Sequence, residues 1–320
     1  MTVLVTGGAG FIGSHLIERL LARDATSKII CLDNFSAHYD PARKRANVAA
    51  FAGDPRVRVV EASFGDAAAV GQLLAAEDVR QIVHLGALAG VRSSIAQPLV
   101  YEETNVRGTL VLLEAVRARP VERFLLVSSS TVYGREAAVP FREDAALGVP
   151  LSPYGATKRA AELLGLVYHA LHQVPVVCLR PFSVYGPRLR PDLAMYVFAE
   201  SILAGRSVPL LGDGSARRDF THVSDICDGL ISALSAKNVA GETINLGHHE
   251  PVTVRELLAM MEDALGRKAV IDQRPPAAGD MPITCADLTK ADRLLGYRPR
   301  VALADGVRDF VAWFRRTIGK

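Results

Sequence analysis

Tyr154 and Lys158, four residues apart in the stretch SPYGATK, form a pair that can move a proton. Residues at that spacing share one face of a helix, so an ammonium stands beside a phenol. The positive charge favours the phenolate and brings the hydroxyl toward proton transfer near neutral pH. Upstream, LLVSSSTVYG runs from an apolar strand into four hydroxyls, Ser128, Ser129, Ser130 and Thr131, with no acid among them. Such a row offers neutral hydrogen-bond donors to a polar substrate and no carboxylate for acid–base work.

A second chemistry is written at the amino end. In VTGGAGFIGSHL, Gly7, Gly10 and Gly13 give a GxxGxxG spacing, and Gly8 adds a GxGxxG reading. Glycines permit a tight turn and let a pyrophosphate approach the backbone, where free N–H groups and the helix dipole favour an anion. Asp33 follows twenty residues after Gly13, at the end of the second expected strand. A carboxylate there accepts both ribose hydroxyls of an adenosine and repels a 2′-phosphate. No Arg stands beside it in the sequence, so NAD is expected rather than NADP.

These groups need a scaffold. The first half alternates short β-branched runs with helical stretches: TVLVT, a helix from Phe11 to Ala22, IICLD, VRVVEA, QIVHLG, a helix from Leu99 to Arg117, RFLLVS, a helix from Pro153 to Leu171, and VPVVCLR. Continuous apolar strands separated by helices predict a parallel sheet covered on both faces, a Rossmann-type doubly wound α/β fold. After Arg180 proline and glycine become frequent, with helices expected near 254–265 and 303–316. Residues 1–180 are therefore read as a dinucleotide-binding domain. Residues 181–320 are read as a smaller α/β substrate domain intertwined with it.

The 320 residues are 49% hydrophobic and 22% charged, enough to build a core. A net charge of +3 gives no reason to expect nucleic acid or a membrane surface. Cys31, Cys178, Cys227 and Cys285 lie far apart without CxxC, which suggests buried apolar residues rather than a metal site or disulfides. No apolar run has bilayer length, and a buried strand already runs at Thr2, so a soluble, cytoplasmic protein without a leader is expected.

TGGAGFIGS, SSSTVYG, SPYGATK, RPFSVYGP and RRDFTHVSDI stand in an order that resembles the extended short-chain dehydrogenase/reductases, and among them the nucleotide-sugar epimerases and dehydratases. The resemblance implies Tyr154 as the base for the sugar 4-hydroxyl, Lys158 as its modulator and ribose contact, and Ser129 as polariser of the sugar oxygen. It implies cofactor contacts at Gly7, Gly10, Phe11, Ile12, Gly13, Asp33, Asn34, Phe64, Leu85 and Ala87. Arg218 is the implied diphosphate contact and Asp280 the ribose acid. It also implies a homodimer through the two long helices, which carry Leu110, Leu113, Leu163 and Leu164.

Dehydratases of this group carry an Asp-Glu pair just before VYG, and decarboxylases a Glu; here Ser130 and Thr131 stand instead. Without those acids the expected outcome is return of the hydride to the other face of C4, which is epimerisation. AGVRSS, GPRLRPDLAMYVF and GDMPITCADLTKA resemble the branch acting on UDP-glucuronate and UDP-galacturonate. A 4-keto uronate is a β-keto acid that loses CO₂ when its carboxyl bond aligns with the carbonyl π system. Ser130, Thr131 and Ser183, with Arg190, are the groups expected to hold the carboxylate out of that alignment. A neutral UDP-hexose or UDP-N-acetylhexosamine 4-epimerase is the alternative. Two places depart from the family pattern. Ala277 stands where relatives have an Arg, leaving Arg274 or Arg92 as the second diphosphate contact. Ser63 and Phe64 replace an acidic adenine contact, leaving the Phe64 backbone.

Overall fold

Strand β1 (Thr2–Thr6) shows how the sequence pattern becomes a layered fold: Val3 and Val5 pack on one face of the sheet, Leu4 on the other, all buried. The structure, a computed structural model, describes residues 1–276 and 279–318. After β1 come α1 (Phe11–Arg23), β2 (Lys28–Asp33), α2 (Pro41–Ala49), β3 (Val57–Glu61), α3 (Ala67–Ala76), β4 (Val79–His84), α4 (Val91–Ala96), α5 (Pro98–Glu102), α6 (Gly108–Ala118), β5 (Arg123–Val127), α7 (Pro153–His172) and β6 (Val176–Pro181). The later chain adds β7 (Ser183–Tyr185), α8 (Ala194–Leu203), β8 (Val208–Leu211), β9 (Arg217–Arg218), β10 (Phe220–His222), α9 (Val223–Ser235), β11 (Thr243–Leu246), β12 (Val252–Thr253), α10 (Val254–Leu265), β13 (Ile271–Arg274), α11 (Thr289–Leu295) and α12 (Leu303–Ile318).

The main sheet has seven strands in the order β11-β6-β5-β4-β1-β2-β3, and every pair in it is parallel. This is the expected Rossmann-type fold, extended by one strand. β11 lies beyond residue 180 and pairs with β6, Thr243 opposite Cys178. Its four residues, TINL, include two polar ones, too little of an apolar run to announce a strand. Three two-stranded ladders, β7 with β10, β9 with β12 and β8 with β13, shape the rest.

The helix expected from Leu99 to Arg117 is interrupted. α5 and α6 are joined by a π-turn over Glu103–Arg107. Asn105 in that turn is buried, and its side chain bonds Leu88 N and O and Thr157 Oγ1. One extra residue per turn leaves no mark in hydrophobic periodicity, and such turns gather near functional sites. Leu113, expected on an outer helix face, is instead fully buried under the sheet, with Leu164 packed beside it. The large apolar residues exposed on α5 and α7 are Leu99, Val100, Leu163, Val167 and Leu171. All four cysteines are buried and free. Among the described residues no helix is long and apolar enough to cross a membrane.

Candidate active site

A cavity of about 930 Å³ opens outside the carboxyl ends of the sheet strands and runs between them and the later chain. This is where open α/β sheets hold ligands. Every site residue expected from the sequence lies on its wall.

On one side is the glycine loop. Gly7 has φ +67°, and a Cβ on Gly13 would lie 2.3 Å from Gly7 O, so the first turn closes only with glycines. α1 starts at Gly10 without a capping side chain, which leaves its first N–H groups, at Phe11 and Ile12, facing the cavity. Asp33 Oδ2 accepts from Ala9 N at 3.2 Å and Oδ1 from Phe35 N at 2.8 Å. Asn34 stands exposed beside it. The absence of a neighbouring Arg in the sequence did not leave Asp33 alone: Lys44 of α2 reaches back and bonds Oδ1 at 3.0 Å, both side chains nearly buried. Asn47, one turn further, donates to Ala9 O at 3.0 Å. Phe64 packs its ring edge-on to His84, with centroids 4.9 Å apart. Leu85 and Ala87 lie in the loop after β4 that Asn105 secures at Leu88. Uncapped N–H groups, a cramped glycine turn and a carboxylate one strand away fit the pyrophosphate and ribose of a dinucleotide.

At the centre, Ser152 caps α7 by accepting Gly155 N at 3.1 Å, and Pro153 takes the first helical position. Tyr154 therefore sits in the first turn with Lys158 one turn on. A Cβ on Gly155 would lie 2.9 Å from Thr131 O, so the glycine lets the helix start press against the hydroxyl turn. In that 3₁₀ turn, Ser130–Tyr133, Ser129 Oγ accepts from Thr131 N at 3.2 Å and Thr131 Oγ1 at 3.0 Å. Ser129 keeps its own proton to donate, to the Tyr154 oxygen or to a ligand oxygen beside it. Burial pushes the Tyr154 phenol above its usual value, while a hydrogen bond with Ser129 and the charge of Arg190 pull it back. Lys158, one turn on, is buried, and its ammonium donates to Val127 O at 2.6 Å. Burial draws Lys158 down to about 8, opposed by Glu162.

On the far side Ser183 begins β7. Arg190 is tied to Asp192 by two bonds, 3.0 and 2.8 Å. Arg92 is exposed at the rim. Arg218 pairs with Asp280 at 2.5 Å. Its sequence neighbour Asp219 is no rival for it: fully buried, Asp219 accepts the backbone N–H groups of His248, His249 and Ala286. Arg274 also lines the cavity and pairs with Asp272. Ala277, the place of the missing second Arg, lies outside the described residues. Sequence reasoning missed Lys44, Asn47 and Asp192. Their residue types and position in the chain were visible, but the partners they reach were not.

Residues 4–310 match the model of the family described as GDP-mannose 4,6 dehydratase. A UDP-glucuronate 4-epimerase of Thermodesulfobacterium geofontis is 34% identical, over 98% of this chain and 96% of its own. The crystal structure of UDP-glucuronic acid 4-epimerase from Bacillus cereus with UDP-glucuronic acid and NAD superposes with a TM-score of 0.94 at 34% identity, covering 99% of this chain and 100% of that one. A dTDP-glucose 4,6-dehydratase from Streptomyces venezuelae with NAD bound superposes almost as well, TM-score 0.93 at 36% identity over 100% and 98% of the two chains. Backbone likeness alone does not separate epimerase from dehydratase; the residues beside Tyr154 must.

Proposed function

The chain belongs to the family described as GDP-mannose 4,6 dehydratase, with the extended short-chain dehydrogenase/reductase fold, and from that premise we propose that it interconverts UDP-glucuronate and UDP-galacturonate. It is an NAD-dependent isomerase working through a 4-keto sugar. The observation that carries this reading is the turn at Ser129–Thr131. It lies against the start of α7 and holds hydroxyls where a dehydratase needs acids. The family's name describes an elimination that takes further proton transfers beyond C4. Ser130 and Thr131 cannot serve them at neutral pH.

In this reading Tyr154 accepts the proton of the C4 hydroxyl, and Ser129 turns its own proton to the same oxygen. Bound along the glycine loop and Asp33, NAD supplies reversible acceptance of the C4 hydride. Lys158 holds the nicotinamide ribose and keeps positive charge behind Tyr154. The phenol, raised by burial, gives up its proton only when positive charge gathers around it, which restricts the base to the assembled site. Arg218 and Asp280 grip the diphosphate and ribose of the nucleotide, with Arg274 or Arg92 as the second cation. Ser130, Thr131 and Ser183 hold the carboxylate, with Arg190 beside them, so that the keto sugar turns over and takes the hydride back before CO₂ is lost. Residues 1–180 form the cofactor half and residues 181–320 the nucleotide-sugar half.

One observation favours a neutral UDP-hexose instead: the charge of Arg190 is already answered by Asp192. Incubation with UDP-glucuronate and, separately, UDP-glucose, followed by NMR of the anomeric protons, separates the two. Appearance of UDP-galacturonate, faster than any UDP-galactose, is the expected result. The reverse order would assign the neutral sugar.

The assembly proposed is a homodimer through α5, α6 and α7. Leu163, Val167 and Leu171 fall one turn apart on α7, exposed by 57%, 48% and 71%, and Leu99 adds to the patch at 80%. Sedimentation is expected to give twice the chain mass, and Leu163→Asp with Leu171→Asp to give monomers. A monomeric wild type at micromolar concentration contradicts it. Four free buried thiols and a resident NAD suit the cytoplasm.

A further inference from the structure

Behind the proton-transfer pair lies a second pair with no part in the chemistry so far. Glu162 follows Lys158 by one turn of α7, on the same inward face. Its carboxylate takes Arg180 Nε at 2.9 Å and Nη2 at 2.8 Å, both side chains about 5% exposed or less. The guanidinium stacks over the Tyr133 ring at 4.7 Å, and its Nη1 has no partner among the described residues. We propose that Glu162, clamped by Arg180, is a positioning residue of the reaction that keeps Lys158 an ammonium and aims it at the strand end.

Lys158 is 5% exposed, and among the described residues its ammonium has one acceptor, Val127 O. A buried cation so poorly satisfied needs a counter-charge nearby. The groups facing it are few. On α7 there are Tyr154 and Glu162. On β4 stands His84, which burial first and Lys158 second hold down to about 3, hence neutral. On β6 stand Arg180 and Cys178, whose thiol burial pushes far up, hence also neutral. Among these only Glu162 carries a negative charge, and it is the first influence opposing the loss of the Lys158 proton. Arg180 in turn fixes that carboxylate in one rotamer and takes up part of its field. Such a buried pair is weak as a source of stability. It lies where its field can act on the catalytic lysine.

This inference rests on the reading above, and its test is the pH profile of kcat for the NAD-loaded protein with UDP-glucuronate. The alkaline limb in the wild type reports loss of the Lys158 proton. In Glu162→Gln it is expected to move down by about one pH unit, the low end for an opposite charge removed from close by. In Arg180→Met it is expected to move up, since the Glu162 charge is no longer shared, with KM little changed in both. Opposite shifts of the two variants are what a merely structural role would not produce. Where a single variant fails to fold, Glu162→Gln/Arg180→Met removes both charges, and its limb is expected to move down by less than in Glu162→Gln. Unmoved limbs, or shifts of both single variants in one direction, overturn the proposal. Failure of the epimerase reading looks different: the wild type itself would not turn over UDP-glucuronate.

Discussion

Thr131→Ala should change the product and not only the rate. The backbone N–H of residue 131 donates to Ser129 Oγ at 3.2 Å, and alanine keeps that bond, so the 3₁₀ turn survives. What is lost is one hydroxyl, now 3.0 Å from Ser129 Oγ and free to turn to a substrate carboxylate. A hydrogen bond to a charged group contributes roughly 1.5 to 3 kcal/mol. Converted at 1.36 kcal/mol per factor of ten, that is about a 10- to 100-fold change in the partition between hydride return and loss of CO₂. The variant on UDP-glucuronate should therefore epimerise more slowly, release CO₂, form a UDP-4-ketopentose and accumulate one NADH per CO₂ released, because the hydride is stranded on the cofactor once CO₂ has left. Ser183→Ala should do the same from the other side of the cavity, and Thr131→Ser should restore the wild-type partition. The assay is absorbance at the NADH band with ketopentose and CO₂ measured on the same sample. Variants that are uniformly slower and make no ketopentose would refute the idea that these hydroxyls restrain a carboxylate.

Tyr154→Phe is expected to lower kcat by ~10²-fold or more with KM nearly unchanged, since a proton acceptor goes and little contact area does; near-wild-type turnover would exclude Tyr154 as the base. Asp33→Ala should weaken NAD retention and narrow the preference over NADP, because Lys44 is left facing the ribose 2′ position without its carboxylate. The same variant should lose about 3 to 5 kcal/mol of stability, the cost of breaking a buried pair from one side; nucleotide retained through gel filtration and thermal unfolding measure the two effects. His84, buried between Thr6 and Thr109 and held to about 3, stays neutral in the fold while an unfolded histidine protonates below its usual 6.5. Acid therefore favours the unfolded chain, and lowering the pH from 7 to 5 should cost about 2 kcal/mol through this residue. Denaturant titrations of wild type and His84→Gln at both pH values check it, the variant losing correspondingly less.

The parts of the site legible in the sequence are those that local chain geometry builds. The glycine turn, Asp33 at a strand end, Tyr154 and Lys158 on one helix face and the hydroxyls after β5 all depend on neighbours within a few residues, and all line one cavity. The parts that were not legible are contacts between elements. Lys44 reaching Asp33, Asp192 compensating Arg190 and Asp280 answering Arg218 are choices of rotamer and partner made by the folded chain. Lys158 shares a helix face with Tyr154 as its spacing requires, yet a long side chain has reach, and it took the Val127 carbonyl. β11 escaped because an edge strand with one partner needs little apolar sequence. Leu113 was placed outside because an amphipathic helix covered on two sides has no single apolar stripe to read.

The claim that the chain inverts C4 by removing and returning the same hydride is tested most directly with UDP-glucuronate deuterated at C4 and no added nucleotide. NMR and mass spectrometry should find UDP-galacturonate with the deuterium still at C4. Absence of UDP-galacturonate, or product in which solvent hydrogen has replaced the label, would contradict the account.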